Sequence, residues 1–171
     1  MSRLQRSALF AVVAAAALAT GFLLSPARPA PADSQALLQA SLPDLEGNSQ
    51  RLARWQGKVM VVNFWATWCQ PCLEEIPQFV RMQRQLGSRG LQFVGIAVDR
   101  PDSVKAFVTA HGVNYPVLIG GVEAIGISRQ AGNTDGGLPY TLVVDRFGRI
   151  VSQHQGGVSE AKLRPIVEQA L

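Results

Sequence analysis

Residues 65–77 read WATWCQPCLEEIP, and both of the chain's cysteines, Cys69 and Cys72, fall inside this stretch. The residues before it, KVMVVNFWA (Lys58–Ala66), are a β-branched and aromatic run of the kind that fills a strand covered on both faces. From Pro71 to Leu86 the apolar residues Leu73, Ile76, Phe79, Val80 and Met82 recur near the helical period, and Gly87 reads as the helix stop. Cys69 is therefore expected where strand gives way to helix, with Cys72 one turn inside. Free N–H groups and the macrodipole at a helix start favour an anion, so Cys69 reads as an exposed thiol of lowered pKa, the nucleophile. Residues i and i+3 share a helix face, which lets Cys72, the buried neighbour, resolve a mixed disulfide formed on Cys69. Pro71 fits the first turn, where its missing N–H would be unpaired anyway, and its fixed φ limits motion of the Cys-x-x-Cys loop.

Outward from this stretch, LQFVGIAV (Leu91–Val98) is the next strand, and DRPDSVKAFVTAHG follows it as a helix capped by Asp102 and ended by Gly112. Strand, helix, strand, helix makes a βαβ unit with parallel strands. YPVLIG gives a short strand from Pro116, GVEAIGISRQAG a weak helix, and NTDGG a loop. YTLVVD (Tyr140–Asp145) and IVSQHQGG, joined by the tight turn RFGR, form an antiparallel hairpin, and Ser159 opens a terminal helix to Leu171. The order βαβ, connector, ββα describes an α/β sandwich with helices on both faces of a mixed sheet. Residues 33–57 are a lead-in, in which EGNSQRLARWQGK suggests a small hairpin. No internal repeat is visible.

The chain has 171 residues and is 47% apolar, ample for one domain with a real core. Arg3 and Arg6 precede Ala8–Leu24, which carries no charge: the basic-then-apolar layout of an export segment. Ala30 and Ala32 offer A-x-A spacing for cleavage before Asp33. Retention is the alternative, since seventeen apolar residues make a helix of roughly 26 Å against a hydrocarbon layer of ~30 Å. Residues 1–32 are thus read as a signal peptide or membrane anchor plus linker, and 33–171 as the folded domain. Either way the domain lies outside the cytosol, in the periplasm or on the extracytoplasmic face, and the placement of Arg3, Arg6 and Arg28 agrees with that orientation. Acylation there is excluded, because no cysteine directly follows the apolar run. Three of the 16 basic residues and none of the 12 acidic ones precede Asp33, so the domain is close to neutral. No basic patch or aromatic-basic motif marks a nucleic-acid surface.

NFWATWCQPC resembles the active-site segment of thioredoxin, and WCQPCLEEIP is most similar to the exported TlpA/ResA-like branch of that superfamily, a likeness covering most of residues 40–171. The resemblance implies a thioredoxin-like sandwich and a cis-proline facing the sulfurs, for which GGLPYTLVVD supplies Pro139 after Leu138. It also implies a glutamate beside the thiols, three residues after the second cysteine and two before a helix proline; Glu75, followed by Ile76 and Pro77, meets that description. Thioredoxin has a buried aspartate in the preceding strand where this chain has Asn63, which cannot take a proton, so acid–base duty would pass to Glu75. Trp68, Gln70, Pro71 and Leu138 are the residues expected to meet substrate, while Trp65 packs in the core. The implied activity is thiol–disulfide exchange with no dissociable cofactor. Its expected substrates are exported proteins with disulfides, such as apocytochrome c or copper-site proteins, with electrons from a membrane thiol carrier.

Other readings stand beside these. The same fold could serve a disulfide oxidase or isomerase, or the thiols could hold copper as a chaperone does. A structural bridge over so short a loop would stabilise weakly. No metal site is expected, because two cysteines supply half the usual ligands and His111 and His154 lie far off and read as surface residues. A peroxide-reducing enzyme is disfavoured, since no Pro-x-x-x-Thr-x-x-Cys stretch occurs. Acids in the first turn of a helix interact well with its dipole; this accounts for Glu74, and for Glu75 it stands beside the proton-relay reading. Gly136 and Gly137 read as turn formers ahead of the constrained proline.

Overall fold

The computed structural model describes residues 34–171, and the export-segment reading lies outside them. Among the described residues no helix is long and apolar enough to cross a membrane. The chain runs through α1 (Ser34–Gln39), β1 (Ser41–Pro43), β2 (Ser49–Arg51), a 3-10 turn (Leu52–Trp55), β3 (Val59–Trp65) and α2 (Gln70–Leu86). It continues through β4 (Leu91–Ala97), α3 (Pro101–His111), β5 (Val117–Ile119), α4 (Glu123–Gln130), β6 (Tyr140–Val144), β7 (Ile150–Gln155) and α5 (Glu160–Ala170).

The main sheet has the order β5-β4-β3-β6-β7. β3 lies parallel to β4 and β4 to β5, whereas β6 runs antiparallel to both β3 and β7. This is the expected mixed α/β sandwich. Every residue of β3 is buried, as a central strand with both faces covered requires. Successive side chains go to opposite faces, and two cores follow from that alternation. Val59, Val61, Trp65, Phe93 and Val143 pack with residues of α2, α3 and α5. Met60, Val62, Phe64, Ile96 and Leu142 pack with α1, the 3-10 turn and α4. In the first core Phe79 stacks on Phe93 at 4.9 Å between ring centroids, and Trp65 meets Phe107 at 5.1 Å. Gly95 makes room there: a Cβ would lie 3.0 Å from the Trp65 indole nitrogen.

α2 ends at Leu86 with Gly87 as its cap residue, as expected; Gly87 keeps a helical backbone (φ −58°), and a 3-10 turn follows to Gly90, whose φ of +104° suits glycine. Two local expectations are corrected. Asp102 is not the cap of α3. Pro101 takes the first helical position, so the extended Arg100 is the cap residue and Asp102 lies in the first turn, where its charge complements the dipole. Gly112 does end that helix in the left-handed region. The small hairpin lies earlier than expected, pairing Ser41–Pro43 with Ser49–Arg51. The Asp44 carboxylate sets its turn by accepting the N–H groups of Glu46 and Asn48 and the Gln50 amide, so the first arm must precede Glu46.

Phe79 ties α2 to the sheet, so Phe79→Ala should cost about 3–5 kcal/mol, read as a lower denaturation midpoint in guanidinium chloride at unchanged slope. A loss below about 1 kcal/mol would show that this helix is held elsewhere.

Candidate functional site: a disulfide at a helix start

α2 begins at a sulfur. Cys69 is its cap residue, with extended backbone (φ −94°, ψ 99°), and Pro71 lies in the first turn. The cysteines are joined by a disulfide, with Sγ–Sγ 2.06 Å and Cα–Cα 5.3 Å. The Cys69 carbonyl accepts the N–H groups of Cys72 (3.0 Å) and Leu73 (3.2 Å), and the Cys69 side chain makes no capping hydrogen bond. With Pro71 lacking an N–H, few free donors remain at this end of the helix.

Cys69 was expected to be exposed and is not: in the disulfide it is 6% accessible, and Cys72 is fully buried. The exposed residues here are Trp68 (69%), Gln70 and Pro71. Trp65 is in the core. The loop between β3 and α2 is fastened to the one after β4: Val98 N–H donates to the Trp65 carbonyl, and the Asp99 carboxylate accepts the N–H and hydroxyl of Thr67. These bonds hold the Asp99 carboxyl below the usual range against its partial burial. Asp99 has no sequence signal beyond its place at the end of a strand.

Leu138 is half-buried, Pro139 is buried, and the peptide between them is cis. The Pro139 carbonyl accepts the Gly156 N–H at 2.9 Å. Gly157, the next residue, lies against Pro71: a Cβ placed on it would be 3.7 Å from the Pro71 Cβ. Gly136 has φ +68° and serves the turn expected of it.

Glu75 stands one helical turn beyond Cys72 on the same face and is 2% accessible. Its Oε1 accepts the Asn63 amide N–H at 2.7 Å and its Oε2 the Val158 N–H at 3.0 Å. Burial pushes its carboxyl up from 4.5 to about 7, with the bonds from Val158 and Asn63 pulling the other way. A cavity of about 210 Å³ lined by Pro71, Glu74, Glu75, Gln78, Gly157 and Val158 opens beside it. The dipole explanation of both acids needs correction. α2 starts at Gln70 and has no acid in its first turn; Glu74 is exposed in the second turn, where it accepts the Gln70 amide. Asn63 also donates to the Thr141 hydroxyl at 3.0 Å. Sequence reasoning missed Thr141, whose only signal was a polar side chain at an inward position of YTLVV. It also missed Val158, which acts through its backbone.

Elsewhere, Tyr115 is pushed up by burial and by the Glu75 charge. His111 is exposed and stacks on Phe107, while His154 is half-buried on β7. Among the described residues no group of three or more His, Cys, Asp or Glu side chains is gathered as a metal would need.

Residues 34–153 match the AhpC/TSA family. The chain belongs to that family, within the thioredoxin superfamily. It is 30% identical over 132 residues to the thiol-disulfide oxidoreductase ResA of Halalkalibacterium halodurans, which spans 74% of this chain and 70% of that protein. It is 33% identical over 122 residues to the ResA of Bacillus anthracis, covering 70% of this chain and 68% of that one. The crystal structure of a thiol:disulfide interchange protein of the thioredoxin family from Chlorobium tepidum matches with a TM-score of 0.69 at 37% identity, over 85% of this chain and 99% of that chain. This AhpC/TSA member is a thiol-disulfide oxidoreductase, and it carries the cysteine pair such an activity needs.

The raised Glu75 carboxyl has a consequence for stability. At pH below 4.5 folded and unfolded chains both hold the proton. Between 4.5 and about 7 the unfolded chain releases a proton that the folded chain keeps, so stability from this group, fully present at low pH, is lost as pH rises through about 7. At about 1.4 kcal/mol per pH unit the full loss is at most about 3.5 kcal/mol. Urea unfolding across this range should show the wild type falling relative to Glu75→Gln; parallel curves would mean that Glu75 titrates as an ordinary carboxyl.

Proposed function

We propose that this protein works outside the cytosol as a reductase of disulfides in exported proteins, with Cys69 as nucleophile and Cys72 as resolving thiol. The observation that carries this reading is the Cys69–Cys72 disulfide at the start of α2 with the buried Glu75 one turn further on. In the reduced enzyme the Cys69 thiolate attacks one sulfur of the substrate disulfide, forming a mixed disulfide and releasing the first substrate thiolate. Cys72 then gives its proton to the Glu75 carboxylate and attacks the Cys69 sulfur. The enzyme disulfide forms, the second substrate thiolate leaves, and two electrons have passed to the substrate. A carboxyl with a pKa of about 7 both accepts and returns a proton near neutrality.

Trp68, Gln70, Pro71 and Leu138 form the face that receives substrate, and Pro139 guides its extended backbone across the sulfurs. Exposure of Trp68 supports the first assignment, and a cis peptide at Leu138–Pro139 supports the second. The basic-then-apolar start of the chain supports export, with residues 1–32 as signal peptide or anchor. The likeness to ResA-type thiol-disulfide oxidoreductases supports a role in reducing disulfides, for which apocytochrome c and copper-site proteins are the proposed substrates, with a membrane thiol carrier re-reducing the pair.

Cys72→Ala should accumulate a mixed disulfide on Cys69 in envelope extract, identified by mass spectrometry of the captured partner; Cys69→Ser should capture nothing. Equilibration of the pair with glutathione decides direction. A potential more negative than the roughly −180 mV of an isomerase-type pair is the expected result, and one near about −120 mV would make the enzyme an oxidase.

A further inference from the structure

Asn63 lies at the middle of the central strand, buried to 2% among Val61, Trp65 and the face of α2. An amide there is costly unless its polar atoms are used, and among the described residues its Oδ1 has no hydrogen-bond partner. Leucine is of similar size and would remove the unpaired Oδ1, but it would also take away the N–H groups that Glu75 Oε1 and Thr141 Oγ1 accept. The use of the amide must therefore lie in its N–H groups, which go to Glu75 Oε1 at 2.7 Å and Thr141 Oγ1 at 3.0 Å. Thr141 is the residue paired with Asn63 across β3 and β6, so its hydroxyl is held by the sheet itself. It accepts one N–H and thereby aims the other at the carboxyl.

We propose that Asn63 is a positioning residue for Glu75: fixed by Thr141, its amide supplies the N–H that the ionised carboxylate needs when the acid gives up its proton between helix and sheet. This rests on the reading of Glu75 as proton carrier and extends it to the residue that makes such a role workable. Of the two donors that the ionised acid has, Val158 N–H comes from the backbone and survives substitution; Asn63 is the one set by a side chain. An aspartate at position 63 would place a second carboxyl within hydrogen-bond distance of the first, and the two would share a proton instead of leaving one acid to titrate.

The other groups that reach this region are accounted for. The Tyr115 phenol is protonated throughout the neutral range, its ionisation opposed by burial and by Glu75. Glu74 rims the cavity from the same helix. His154, paired with Thr141 in β7, contacts Ser152 and feels Lys162 on α5. Glu160 is taken up by Arg81 and Arg164.

The test is carbon-13 NMR of the oxidised full chain labelled at glutamate carboxyls, with the Glu75 resonance assigned by its loss in Glu75→Gln. The wild type should titrate near neutrality. Asn63→Leu should raise the midpoint by about one pH unit or more, and Thr141→Val, which keeps shape and removes only the anchor, by less. An unmoved midpoint in Thr141→Val together with an unmoved midpoint in a folded Asn63→Leu overturns the proposal; if Asn63→Leu does not fold, Thr141→Val decides alone. The pH profile of dithiol oxidation, run in parallel, separates the two ideas. A profile unchanged in Glu75→Gln removes the proton-carrier role, while the NMR midpoints still decide whether Asn63 governs the acid.

Discussion

The chemistry depends on a helix that starts at Cys69 directly beyond the central strand, and on what holds that start in place. Only Ala66, Thr67 and Trp68 lie between the end of β3 and the cap of α2. So short a connection between two buried elements has little freedom, and the bonds from Asp99 and Val98 to Thr67 and Trp65 remove most of the rest. The cysteines therefore inherit their position from the sheet, through β3, and not from the loop. Since Phe79 and Ile76 press the same helix face onto the sheet, the disulfide is attached at one end of a well-packed rod.

That packing sets the electrostatic problem which the rest of the site answers. A helix face apolar enough to bury Cys72, Ile76 and Phe79 also buries Glu75, and a charged carboxylate in such a place is disfavoured. Two donors offset part of the cost. One comes from the sheet below and one from the backbone of the segment after β7. The result lies between extremes: without donors the acid would stay protonated, and with full solvation it would stay ionised, and neither would move a proton near neutral pH. Stability is coupled to this proton, because each proton lost from Glu75 in the folded chain is lost against the preference of its surroundings.

Sequence made the sheet and its helices legible because period-2 and period-3.6 patterns in apolar residues are local. The cysteine pair, Pro139 and Glu75 were legible through their motifs. Thr141 and Val158 were not, for a physical reason: they lie 78 and 83 residues from Asn63 and Glu75, and nothing local to them reports the partner. The misplaced cap of α3 has a different origin. Asp102 has capping chemistry, but Pro101 had already fixed where α3 begins. Cys69, expected to be exposed as a thiol, is 6% accessible in the disulfide, a bond whose state no local sequence pattern reports.

The mixed sheet explains why one end of the molecule carries all of these parts. In a purely parallel sheet the segments at the carboxyl end of β3 would be the exits of its neighbours alone. Here β6 runs the other way, so its entry, Leu138 and Pro139, lies level with the exit of β3: Tyr140 pairs with Phe64. β7 reverses again, and its exit, Gly156 to Val158, comes level with that entry, since Gln155 pairs with Tyr140. Three segments far apart in sequence thus converge: one supplies the sulfurs and Trp68, one the cis-proline, and one the N–H that reaches Glu75. The β6–β7 hairpin, which carries no cysteine and no acid of the site, is therefore what completes it.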